Sequence, residues 1–174
     1  RLLAAMKRAS AARDSDRAKL DSLKAAVKLR PGDPRTHYEL GRYYAEQHIY
    51  TESDRCFERV LELDPKDTKG FRTPAYWYLL RTTTKRAATT DAEWARVERY
   101  IADAESTIQR ADGQELVMYY QLLVAVHSRG DVKGAGEIAS RMKAKFPNGK
   151  LANKGRDIAV RVKHYGTDKE PVDP

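Results

Sequence analysis

Pro31 and Pro65 lie 34 residues apart, and each ends an amphipathic stretch and begins a polar turn containing Asp: VKLRPGDP at residues 27–34 and VLELDPKD at residues 60–67. Proline lacks the backbone N–H and clashes with the preceding helical turn, so it closes a helix. Two closures of the same kind at that distance mark a chain built of units, which constrains its fold more than composition does. Between them, apolar residues recur near a 3.6 period at Leu40, Tyr43, Tyr44 and Ile49, then at Phe57, Val60, Leu61 and Leu63. Asp33 is placed to cap the first of these helices, with Pro34 at its first position, where the missing N–H costs nothing. The unit predicted is a pair of helices spanning about 32 residues.

The pair carries Leu40-Gly41-x-x-Tyr44, then Ser53-x-x-x-Phe57, Val60 and Pro65. This pattern resembles the tetratricopeptide repeat, a 34-residue helix–turn–helix unit. Gly41 would let the two helices approach, Ser53 is the small residue at their crossing, and Tyr44 and Phe57 fill the space beside them. A second copy in the same frame has Tyr119, Leu123, Val126, Gly130-Asp131, Ala135 and Pro147, with Leu123 replacing the glycine and Ala139 the aromatic. A third, degraded copy has Leu23, Ala26 and Pro31, with Lys19 at the small position. Pro65 and Pro147 are 82 residues apart, two repeats plus 14 residues, so the third repeat carries an insertion, placed at Thr82–Thr90 or in a helix lengthened into it. Its helices are expected near Pro74–Thr82 and Ala92–Ala111, the second with a capping box from Thr90 and Glu93.

The resemblance implies an all-α fold, a right-handed α-solenoid of antiparallel helix pairs. The repeats fall at about 1–33, 34–67, 68–115 with the insertion, and 116–149; a capping helix follows at 150–165 and a disordered tail at 166–174. In the family, ligands are held on the concave face by set positions of the first helices. Carried over, those positions are Arg35, Tyr38, Arg42, Ala45 and Glu46 in the best repeat, and Lys69, Arg72, Tyr76, Leu79 and Leu80 in the third. The last repeat gives Val117, Tyr120, Val124, His127 and Ser128, and the first gives Arg8. The Lys and Asn of the family's two-carboxylate chaperone clamp are replaced by Ala4 and Arg8, or by Tyr38 and Arg42, so chaperone-tail binding is not expected. Arg pairs with carboxylates through two parallel hydrogen bonds, and Tyr offers flat contact area at low entropic cost. The function implied is a protein–protein interaction module or scaffold that holds an acidic peptide or helical segment. The same Arg and Tyr residues also suit plain helix surface and packing between repeats.

No catalytic set is visible. His37, His48, His127 and His164 form no short-spaced ligand pair, and Cys56 is the only cysteine, so neither an intrachain disulfide nor a metal or other cofactor is expected. His37 stands where the family often has Trp, and Cys56 reads as a small packed hydrophobe. Arg129-Gly130-Asp131 resembles an adhesive tripeptide, but Gly130 and Asp131 fit a turn between helices, with Asp as the next cap. The net charge is +8: residues 1–30 hold nine Lys/Arg against three acids, residues 31–70 six against nine, and residues 113–174 eleven against seven. Acidic partners are favoured in general, yet the bases form no continuous stripe, and the repeats are too unequal for a base-per-repeat RNA reader. Two alternatives are a nucleic-acid binder using the basic run Arg141–Lys163, and self-assembly through an apolar face of Leu151, Ile158, Val162 and Tyr165. No apolar run reaches the ~18–20 residues of a membrane span, and the chain reads as soluble, cytoplasmic or periplasmic. It opens on Arg1 rather than Met, so a larger parent protein is expected.

Overall fold

The computed structural model describes residues 2–87 and 90–165, leaving aside the side chains of residues 2–9, 12, 87 and 165. Among the described residues there are eight α-helices and no strand: α1 (Leu2–Leu29), α2 (Pro34–Glu46), α3 (Tyr50–Leu63), α4 (Arg72–Ala87), α5 (Asp91–Thr107), α6 (Ala111–His127), α7 (Val132–Lys145) and α8 (Lys150–Tyr165). They form adjacent antiparallel pairs, as the sequence predicts. The chain divides into two compact units, residues 1–75 and 76–174, with the boundary inside α4.

In the first unit, α2 packs against both α3 and α1. Asp33 caps α2, its carboxylate accepting from the Arg35 N–H at 3.0 Å, and Pro34 follows as the first helical residue. Gly41 lies against α3: a Cβ there would stand 3.0 Å from that of Cys56 and 3.1 Å from the Phe57 ring. The Ser53 hydroxyl donates to the Gly41 carbonyl at 3.1 Å, tying the crossing polar to polar. Phe57 and Val60 are fully buried, and Leu40 and Tyr43 nearly so. Burying a side chain the size of Phe57 contributes about 2–3 kcal/mol.

Residues 2–29 form one continuous helix rather than the degraded helix pair expected at 1–33. The reason is local: KRASAARDSDRAKLDS has no Gly or Pro, and Ala, Arg, Lys and Leu are good helix formers. Helix α1 is pinned to α2 by the Tyr43 hydroxyl, which donates to the Asp16 carbonyl at 3.1 Å, and by the Lys19 ammonium 5.4 Å from the Tyr43 ring centre.

In the second unit, α6 is the central helix, with ten buried residues spread around its circumference, and it packs against α5, α7 and α8. A helix apolar all round belongs inside a bundle. Helix α4 continues through Thr82, Thr83 and Thr84 to Ala87, so the inserted stretch is largely helix; residues 88–89 lie outside the described ones. The Thr90 hydroxyl accepts from the Glu93 N–H at 3.3 Å, half of the expected capping box, while the Glu93 carboxylate pairs with Arg86 and Arg96 instead. Helix α5 stops at Thr107, four residues short of the expected end, and Ile108 turns into the core. Gly130 takes φ +59°, and Asp131 caps α7 by accepting from the Gly134 N–H at 2.8 Å, so the RGD tripeptide is a helix-joining turn.

The start of α8 is held by Glu115 of α6, whose carboxylate accepts from the Ala152 N–H at 2.9 Å. A negative group there complements the positive end of the helix dipole. The apolar face suggested for self-assembly is not presented as expected. Val162 is 4% exposed, Leu151 and Ile158 are half-buried, the Tyr165 side chain lies outside the described residues, and the outward apolar residue is Val160, 51% exposed. The tail at 166–174 also lies outside the described residues.

Candidate functional site

The ligand positions carried over to the best repeat lie on α2. Arg35 and Arg42 are seven residues apart, hence about two turns and ~10 Å along one face. Arg35 is exposed. Arg42 is partly exposed, with Glu39 at 3.4 Å and Glu46 at 3.5 Å, and Glu46 also meets Lys19 at 3.9 Å. Ion pairs this exposed contribute at most a few tenths of a kcal/mol each, so a partner's carboxylate can compete for Arg42. Tyr38 stands between the two arginines. Its ring packs on Phe57 and Phe71, centre to centre 5.7 and 5.4 Å, which fixes it as a half-buried platform.

Three of the other carried-over candidates lie in the interior. Arg72 is 5% exposed, and its guanidinium donates to the Leu61 carbonyl at 2.7 Å, so it braces the turn after α3. Tyr76 is 0% exposed and its hydroxyl donates to the Asp103 carboxylate. Tyr120 is 2% exposed, and burial, with Tyr119 beside it, pushes its phenol above the ordinary range. These three are corrections to the expected groove: a side chain sealed in the interior offers no contact area to a ligand. His127 is half-buried with its ring parallel to that of Trp94, 6.2 Å between centres. The Arg8 side chain lies outside the described residues.

His37 does not replace a packed Trp; its Nε2 lies 3.0 Å from the Pro31 carbonyl oxygen and ties α2 to the turn before it. Sequence reasoning missed the two acids that build the turn after α3. The buried Asp64 carboxylate accepts from the backbone N–H groups of Lys69 and Phe71, both at 3.1 Å, and from the Thr68 hydroxyl at 3.2 Å. Asp67, at φ +52°, accepts from the Arg72 N–H at 2.9 Å and the Thr73 hydroxyl at 2.6 Å. The signal was present in the paired acids of DPKD, which bracket the proline.

Nothing in this geometry resembles an acid–base or nucleophilic set. Burial, and secondarily the Glu52 carboxylate, push the Cys56 thiol up to about 11, so it stays protonated at neutral pH. Among the described residues, no three or more His, Cys, Asp or Glu side chains gather where a metal could sit, and no helix is long and apolar enough to cross a membrane.

No curated protein and no solved structure matches the chain. Residues 34–67, helices α2 and α3 with their closing turn, match the family model of the tetratricopeptide repeat. Such a repeat suggests a protein–protein interaction module, and domains of this kind are typically non-catalytic. On the evidence of that match, residues 34–67 are a tetratricopeptide repeat, set among antiparallel helix pairs in an all-α chain.

Proposed function

We propose that the chain binds an acidic segment of a partner protein on the exposed face of α2, through Arg35, Tyr38 and Arg42. The observation that supports this reading is the pair of guanidinium groups two turns apart on one helix face, with an aromatic platform fixed between them. Two carboxylates spaced along a peptide can each take a bidentate pair, while the phenol ring covers the apolar stretch between. The neighbouring Glu39 and Glu46 set a selectivity: they orient Arg42 and repel partners whose acids fall out of register.

The experiment is affinity capture from the source cell with the wild-type chain and an Arg35→Glu/Arg42→Glu variant, followed by calorimetry with the captured partner. Arg42→Ala and Tyr38→Ala are each expected to weaken binding by ~1–3 kcal/mol, the range for central contacts. Unchanged affinity in both variants removes the α2 face from the function.

A further inference from the structure

Between α5 and α7, within the second unit, runs a trough whose floor is α6. It consists of two cavities of about 710 and about 300 Å3 that share Glu105, Gln121 and Arg141 in their linings and so form one depression. Each helix contributes a single stripe. Met118, Gln121 and Ala125 of α6 lie three and four residues apart along the floor, and Ile138, Arg141 and Ala144 of α7 run at three-residue spacing along one wall. Met118 and Ile138 are half-buried and Ala144 is exposed, so apolar surface is reachable from outside.

The two walls carry opposite charge. Glu98 and Glu105 stand on the α5 side, Arg141 and Lys145 on the α7 side. Glu98 meets Arg129 at 2.7 Å and closes one end. Glu105 takes an amide hydrogen bond from Gln121 at 3.3 Å; among the described residues neither Glu105 nor Arg141 has an ion-pair partner.

We infer that this trough seats one amphipathic α-helix of a partner protein, apolar stripe down, with a cationic edge along α5 and an acidic edge along α7. The floor from Gln114 to Ala125 extends ~16 Å, about three helical turns. Walls set parallel to a helical floor suit a rod better than a compact ligand, and apolar anchors at three- and four-residue spacing are how helices enter such grooves. The charge pattern selects the occupant further. A helix acidic on both edges meets Glu105, and one basic on both edges meets Arg141, whereas a mixed-edge helix satisfies both walls. This surface shares no residue with the α2 face, so a failure at either site leaves the other standing.

The test uses three stapled helices of about 15 residues, long enough to hold three turns. They share a Leu stripe and differ only at the edges: Lys on one and Glu on the other, Lys on both, or Glu on both. Fluorescence anisotropy at ~0.1 M salt, where rim charges still act over ~10 Å, is expected to show the mixed-edge helix binding on the order of tenfold more tightly than either other. The methyl signals of Met118 and Ile138 should shift on binding. Glu105→Lys should move the preference to the doubly acidic helix, Arg141→Glu to the doubly basic one, and Ala144→Trp should abolish binding of all three. Circular dichroism checks that each variant is folded, and Arg35→Glu/Arg42→Glu should bind the mixed-edge helix normally. No binding at millimolar peptide overturns the inference, as does equal binding of all three helices in wild type and charge variants. So do indifference to Ala144→Trp and a wild-type dimer in sedimentation that Ala144→Trp dissolves, which would make the occupant a second copy.

Discussion

Gly41 shows how one position controls a helix crossing. Its missing Cβ is what allows Cys56 and Phe57 of α3 to lie where they do, with the Ser53 hydroxyl bonded to its carbonyl. Two effects oppose each other at this site. Alanine would raise helix propensity by about 1 kcal/mol, but its methyl would press on the Cys56 Cβ, which the backbone holds in place. Gly41→Ala is therefore expected to change stability little. Gly41→Leu has no such compensation and should cost about 1–3 kcal/mol through overpacking. Urea unfolding of the two variants against wild type measures both outcomes, and equal stability of all three would mean that the contact yields freely. Tyr38 and Tyr76 illustrate a different point about single side chains. Both are carried by register to the ligand face, yet Tyr38 lies half-buried on Phe57 and Phe71 while Tyr76 is sealed over Asp103.

Among the helices, α1 is the one whose extent departs most from the repeat frame. It continues for 28 residues because nothing in its sequence stops it before Leu29 and the Pro31 turn. Most of its described residues are exposed, so its attachment rests on the half-buried Leu20, Leu23, Ala26 and Val27 and on the bond from Tyr43 to the Asp16 carbonyl. Removing that hydroxyl in Tyr43→Phe leaves the ring packing intact and should cost about 1 kcal/mol. Faster amide exchange in the second half of α1, with α3 unaffected, is the expected signature; uniform loss of protection through α3 would assign the bond a wider role. The turn after α3 is stiffer than its polar sequence suggests, since Asp64 and Asp67 together satisfy three backbone N–H groups before α4 is under way.

Across the full chain, the positive charge is divided evenly. Residues 1–75 hold 16 Lys/Arg against 12 acids, and residues 76–174 hold 17 against 13, a net +4 in each. Within the basic run, Arg141, Lys145, Lys150, Lys154, Arg156, Arg161 and Lys163 are exposed, but they are divided between α7 and α8, and Arg156 stands beside Asp157 at 3.2 Å. Such a surface neutralises few adjacent phosphates. Binding to single-stranded RNA is expected to be weak and lost by ~0.2 M salt, with a shallow dependence on salt concentration. A steep slope in a filter-binding titration, equivalent to six or more phosphates, would restore the nucleic-acid reading.

The helix pair at 34–67, its closing proline, its glycine and serine crossing, and the caps at Asp33 and Asp131 were all legible in the amino-acid order. Those signals are local: a 3.6 period, a missing N–H, a missing Cβ and a short acid each act within a few residues. The same logic carried Arg72, Tyr76 and Tyr120 to a ligand face by register, and there it failed. Register fixes which side of a helix a residue occupies, whereas burial depends on what the rest of the chain packs against that side. Packing put these three in the interior and left Arg35 and Arg42 outside. It also brought Glu105, Gln121 and Arg141 from three helices to the walls and floor of one trough, a meeting that no local signal encodes.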